Sequence, residues 1–532
     1  MKIDNKITEF KLSYFILTWG FFWGIAFHLY PIYKVDFPIG DGGMFYVMVR
    51  DVQIINFHLP KYTTYNGNNI PFIYPPLPFF LYGIINLLTN IPILILFKWL
   101  PTITFIICTI FFFILSRIIL KSYLLASISV LGFALHPTFF SRIIMGGGGI
   151  TRSLGLLFSI ISLIFYYQLF TQRKWKFILF SSIFGSLIIL SHPEWSLQTF
   201  GIIFLIWLLN KPNLNTLLLG LITILLIILF ISPWWIIILK YHGINPILYA
   251  FNSGYKNYAN IFSLLMLTFS EYMYFPIFSA LAILGFLYNI IKRSFLLPLS
   301  IIIPFIIDPR IAPQIIIIPL CMLFSIGIVN IILLLPIWIK NNVYIEFNHK
   351  NNETLNLIWN NKYSKFILGY ILTYLLLVSF AKSIIVSKNY LPNTVRESFN
   401  WIMNNIPSKS KFYLITGDYG FEDIIKEWFP ALTNSYSINT IQGTEWLNDF
   451  YNKLLYSYPF NSCDSKDTLC LYIVIEQSIK NCDYIYLYTE DNLQTGNDPC
   501  IYFKLHEYFN NKDKFELIYD KNSIIIYKIL SK

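Results

Sequence analysis

The chain has 532 residues, of which 56% are hydrophobic and only 13% charged, and its mean hydropathy is +0.58. No water-soluble globule can hide that much apolar surface, so the composition excludes a soluble enzyme and indicates a chain that crosses a membrane repeatedly. A formal net charge of +11 fits basic loops on one membrane face better than a nucleic-acid surface, and no nucleic-acid partner is expected.

Apolar stretches long enough to cross a hydrocarbon core of roughly 30 Å recur through residues 1–390. About eleven spans are predicted, near 12–33, 96–117, 122–138, 151–171, 177–192, 196–210, 213–239, 263–290, 294–307, 312–339 and 366–388. The first lacks a small-residue cleavage site and reads as a retained helix, not a signal peptide. With the N-terminus inside, one face collects Lys2, Lys6, Lys11, Arg117, Lys121, Arg173, Lys174, Lys176, Lys211, Lys292 and Arg293, together with the polar stretch 340–365. That is the positive-inside pattern; it makes the N-terminus cytoplasmic and leaves the region after the last span outside. The stretch 294–307 is short enough to be re-entrant. The apolar stretch 74–90 would invert every later loop if it spanned, so it is predicted to lie at the outer membrane surface.

After residue 390 the texture turns polar. Residues 391–532 read as one small extracytoplasmic α/β domain, with strands at Lys411–Gly417, Tyr484–Tyr488, Phe515–Tyr519 and Ser523–Ile529. The last two form a predicted hairpin around Asp520-Lys521-Asn522, and Glu422–Trp428 a short helix ended at Pro430. Four of the six cysteines (Cys463, Cys470, Cys482 and Cys500) fall in this domain. An even set there suggests disulfides, with buried thiols as the other reading; the spacing is not that of a zinc ribbon.

The chemistry gathers in the outer loops. Gly40-Asp41-Gly42-Gly43 places a carboxylate between glycines just after the first span, followed by Tyr74-Pro75-Pro76-Leu77. Asp41 reads as a general base or metal-anchoring carboxylate, or alternatively as the cap of a surface helix over 44–56. The run Gly146-Gly147-Gly148-Gly149, flanked by Arg142 and Arg152 at a helix start, has the makings of a phosphate site. A flexible loop whose arginines meet lipid headgroups is the plainer alternative. His192-Pro193-Glu194-Trp195 offers groups for a sugar ring or a metal shared with Asp41, or simply residues suited to the membrane interface. Arg310 in Asp308-Pro309-Arg310 is a candidate for a lipid phosphate, unless it pairs with Asp308. The aromatic segments Trp428–Leu432 and Gln442–Trp446 read as small-domain core, with a lid over the membrane cavity as the alternative.

The order of a first span, an Asp-bearing outer loop, a surface helix led by a Pro-Pro-Leu motif and a span ending in basic residues resembles the GT-C-type integral-membrane glycosyltransferases. Within these, the dolichyl-phosphate-mannose mannosyltransferases and aminoarabinose transferases are the nearest in layout, over roughly residues 10–340. The resemblance implies an inverting enzyme that moves a sugar from a polyprenyl-phosphate donor to a glycan, lipid or protein acceptor on the extracytoplasmic face of the cell membrane. It puts Asp41 at the catalytic-base position. Arg152, Arg310, Arg142, Gly147 and Gly148 are then expected around the donor phosphate, and His192, Glu194 and Tyr74 around sugar or acceptor. Cofactors are open: a divalent ion such as magnesium or manganese has Asp41 and Glu194 as candidate ligands. The family often carries two acids in the first loop, and an acid where the fourth span begins. Here the residues are Gly42 and Thr151-Arg152-Ser153. The competing function is a transporter or flippase for a lipid-linked sugar or related anion, against which stands the gathering of polar residues at one face and not at mid-membrane depth.

Overall fold

In a computed structural model, the residues described are 9–137, 144–253, 276–342, 344, 346–347, 352–416, 421, 423–448, 450–451, 454, 468–488 and 505–530. The N-terminal two-thirds is helical. Among the described residues, five helices are long and apolar enough to cross a membrane: Glu9–Lys34, Ile93–Leu120, Gly149–Gln172, Ile317–Asn341 and Lys362–Val386. Two bent pairs raise the count to seven if each is one span: Leu214–Phe230 with Ser232–His242 at 59°, and Ile277–Ile291 with Leu296–Ile307 at 114°. The second pair takes in the stretch 294–307 that sequence marked as short. Tyr123–Ala134, Lys176–Ser191 and Pro193–Leu209 are apolar but shorter, at 12, 16 and 17 residues. The eleven expected spans thus correspond to five to seven that pass on length, with the shorter apolar helices packed among them.

Helices also form over the two stretches expected at the membrane surface, 44–56 and 74–90. Gly43–Ile54 has 12 residues and Leu77–Thr89 has 13, which at 1.5 Å per residue is about 20 Å, too short to cross. Pro76 precedes the second and Pro78 sits in its first turn, where a missing N–H costs nothing.

The C-terminal region builds a five-stranded sheet in the order β2-β1-β3-β5-β4. Its strands are β1 (Lys411–Ile415), β2 (Tyr436–Ser437), β3 (Tyr484–Tyr488), β4 (Phe515–Lys521) and β5 (Ile524–Ile529). β1 runs parallel to β2 and β3, while β5 is antiparallel to β3 and β4. The hairpin turn is Asn522-Ser523, not 520–522; both residues have positive φ, at 54° and 61°, the geometry of a tight two-residue turn that continues the strand twist. The helix expected to stop at Pro430 runs from Ile424 to Thr433. Pro430 cannot donate to the carbonyl of Lys426, and the Thr440 hydroxyl takes that place at 2.8 Å. Cys482 is buried in the core of this domain; Cys463 and Cys500 lie outside the described residues, and with them the expected disulfides.

Packing joins the two halves. One hydrophobic core fills the membrane bundle. A second is shared between the first outer loop (Phe37, Met44, Tyr65, Phe72, Phe79) and the C-terminal region (Val395, Phe399, Phe412, Trp428, Phe429, Tyr486). Hydrogen bonds cross the same seam. Trp428 Nε1 donates to the Gly40 carbonyl at 3.1 Å, the Tyr65 hydroxyl to the Glu427 carbonyl at 2.8 Å, and Asn66 exchanges two 2.7 Å bonds with Ser437. The change of texture near residue 390 is therefore not a boundary in the packing.

Candidate functional site

A cavity of about 790 Å³ opens between the membrane helices, the first outer loop and the C-terminal region. Gly40, Asp41, Tyr74, Arg152, His192, Glu194, Asp308 and Arg310 all line it. Residues scattered over 270 positions of sequence thus meet in one place.

Asp41 is held from the helix Gly149–Gln172. Arg152 forks onto it, Nη2 to Oδ2 at 2.8 Å and Nη1 to Oδ1 at 3.4 Å, and the Gly148 N–H donates to Oδ1 at 3.1 Å. Its side chain stays 31% exposed, toward the cavity. The glycines make this approach possible. Gly40 and Gly42 have φ of 69° and 138°, and a Cβ on Gly148 would stand 2.7 Å from both carboxylate oxygens. Gly147 is equally tight, with a Cβ position 2.1 Å from the Asp41 carbonyl.

This corrects two expectations. Asp41 does not cap the following helix: Gly42 occupies the cap position and no side chain caps it. The Gly147 and Gly148 amides, expected to meet a donor phosphate, are already spent. Gly147 donates to the Ile39 carbonyl at 2.6 Å and Gly148 to Asp41. The glycine run is a cradle for the carboxylate loop. Arg142, the remaining expected phosphate ligand of that loop, lies outside the described residues.

Arg310 pairs with Asp308, its Nη2 at 2.7 Å and its Nε at 3.1 Å, and lies 3.6 Å from Glu194. The internal pairing weighed from sequence is thus present, within a cavity-lining arginine. His192 is chiefly structural: buried, it caps the helix Pro193–Leu209 by accepting the Trp195 N–H at 3.4 Å. Tyr74 packs against Phe45 with the rings tilted by 59° and their centres 5.0 Å apart, and meets His192 and Trp446 edge-on at 6.2 Å. Its hydroxyl lies 3.3 Å from that of Thr151.

What sequence reasoning missed is the share of the C-terminal region. Glu427, Gln442, Gly443, Glu445 and Trp446 line the same cavity. The segments read as small-domain core are divided: Trp428 and Phe429 are core, and their polar neighbours face the site. Glu427 accepts the Gly42 N–H at 2.9 Å, so it buttresses the Asp41 loop. Burial, then the neighbouring Asp41, raise its carboxyl above the usual range, against the pull of the Gly42 and Met44 amides. Burial likewise pushes the Glu445 carboxyl up to about 7. The signal available in sequence was an acid beside each aromatic pair.

Among the described residues no three His, Cys, Asp or Glu side chains converge as ligands, and Asp41 already has a guanidinium against both oxygens. A cation there would meet a fixed positive charge.

No protein-family model matches the chain, and no curated protein matches it by sequence. Solved structures do share its fold. The Archaeoglobus fulgidus oligosaccharyltransferase in the apo form superposes with a TM-score of 0.53 at 13% identity, covering 97% of this chain and 74% of that one. ArnT from Cupriavidus metallidurans bound to undecaprenyl phosphate gives 0.55 at 10% identity, covering 96% and 98%. The mycobacterial arabinofuranosyltransferase AftD gives 0.55 at 11%, covering 97% of this chain but 40% of that one. At these identities the likeness is one of fold, and the fold is that of the GT-C-type membrane glycosyltransferases.

Proposed function

We propose that this protein is an inverting membrane glycosyltransferase that takes a sugar from a polyprenyl-phosphate donor and passes it to a hydroxyl-bearing acceptor on the extracytoplasmic face. The observation that carries the reading is Asp41: a half-exposed carboxylate, anchored by Arg152 and the Gly148 amide, on the wall of a large cavity. The shared fold supports it, as does a relative of that fold solved with undecaprenyl phosphate.

Asp41 accepts the proton of the acceptor hydroxyl as its oxygen attacks the anomeric carbon. The new glycosidic bond forms as the bond from that carbon to the phosphate oxygen breaks, and the lipid phosphate leaves with the electron pair. Arg310 is the residue we assign to that phosphate, since Asp308 holds its Nε and Nη2 edge and Nη1 is left to meet an anion. Arg152 positions Asp41 and adds positive charge beside the departing group. The charge asymmetry of the loops supports assigning the cavity and the C-terminal region to the outer face.

The test uses purified protein in nanodiscs with a panel of radiolabelled polyprenyl-phosphate sugars and membrane extract as acceptor. Wild type should release label from lipid into a new product, and Asp41→Asn should not. Donor that is bound or carried across a sealed bilayer without being consumed would replace this reading by a transporter.

A further inference from the structure

Three hydrogen-bond acceptors on the cavity wall have no protein donor among the described residues: Glu445 Oε2, Gln442 Oε1 and Gln314 Oε1. Each of these atoms is buried. Gln442 as a residue is 7% exposed, and its orientation is set by its Nε2, which donates to the Phe421 carbonyl. A buried acceptor without a donor is costly, so three of them lining one cavity call for a ligand that brings several O–H or N–H groups. The rings of Tyr74 and Trp446 stand edge-on beside them, 6.2 Å apart. Apolar faces with a few convergent acceptors suit a sugar ring, whose C–H faces are apolar and whose hydroxyls donate.

Resting on the glycosyltransferase reading, we infer that Glu445 and Gln442 of the C-terminal region, with Gln314 of the same cavity, form a subsite that reads the hydroxyls of the transferred sugar and sets which sugar is accepted. The membrane half then supplies the carboxylate and the arginines, and the C-terminal region supplies specificity. The burial-raised carboxyl of Glu445 agrees with this, since it can either donate or accept near neutral pH.

The experiment compares binding of undecaprenyl phosphate with binding of its mannosyl, glucosyl and N-acetylglucosaminyl esters to protein in nanodiscs. Wild type is expected to bind at least one ester roughly tenfold more tightly than the bare lipid, the worth of one or two hydrogen bonds. Glu445→Met and Gln442→Met keep the side-chain volume and remove the acceptor. Each should abolish that preference while leaving affinity for undecaprenyl phosphate unchanged, and Glu445→Gln, which keeps one carbonyl acceptor and folds most conservatively, should retain part of it. Preference retained in all three variants would overturn the subsite and leave the function standing. A wild type that binds none of the four lipids would overturn the glycosyltransferase reading and the subsite with it.

Discussion

Two aspartate–arginine pairs line the same cavity, and they are built differently. Asp308 and Arg310 are two residues apart. Asp308 takes the backbone N–H, Nε and Nη2 of Arg310, and its side chain is only 4% exposed. Asp41 and Arg152 are 111 residues apart in sequence, and the Asp41 side chain remains 31% exposed. The first pair forms within one turn; the second exists only when the loop of Asp41 docks on the glycine-led helix. The buried carboxylate orients its arginine, whereas the more exposed one reaches the cavity.

The widest way to break this contrast is to neutralise each acid in turn. Asp41→Asn should lower transfer by about 10²–10⁴-fold, the usual worth of a positioned base, while Asp308→Asn should cost about tenfold through a loosened Arg310. Rates of label loss from the lipid donor measure both, and an active Asp41→Asn enzyme would invert the comparison. Next in size is Gly148→Ala, whose methyl would stand 2.7 Å from the Asp41 oxygens. It should shift the carboxylate and cost about 10²-fold in turnover, with little change in thermal unfolding. Arg152→Lys keeps the charge and loses the two-pronged geometry; about a tenfold loss is expected. Washing the enzyme with a chelator should leave transfer unchanged, because the guanidinium stands where a divalent ion would have to bind. A rate that falls on chelation and returns with magnesium or manganese would sink that account of the pair.

The smallest effect concerns pH. Glu445 is raised by burial to about 7, above the ordinary value of a free carboxyl near 4.3. The folded protein therefore holds this proton more tightly than the unfolded chain. The contribution is fully present below about pH 4.3 and is lost as pH rises through 7. Glu445→Gln, which cannot ionise, should match wild type in thermal unfolding at acid pH and exceed it by a few degrees at pH 8. Equal curves at both pH values would mean that Glu445 is solvated.

Local signals carried much of the reading. The apolar runs mark helices because their length meets a hydrocarbon core, and the helix Leu77–Thr89 was legible from its length and leading prolines. Asp41 stood out as a carboxylate set between glycines in a loop that follows an apolar span. The glycine run was visible but its purpose was not: a tetraglycine before a helix looks the same whether it faces a phosphate or, as here, the loop of Asp41. Pro430 looked like a helix stop, since the hydroxyl that replaces its missing donor belongs to Thr440, ten residues on.

Composition and run length by themselves determined that this is a membrane protein, and spacing marked the Asp-centred loop after its first span, because burial in lipid acts on each segment alone. Only the tertiary structure decided the partners: Arg152 on Asp41, Glu427 under Gly42, and Glu445 and Gln442 on the cavity wall. Those contacts span up to 385 residues, and no periodicity or spacing encodes a distance that arises only when two separately folded surfaces bury a common core.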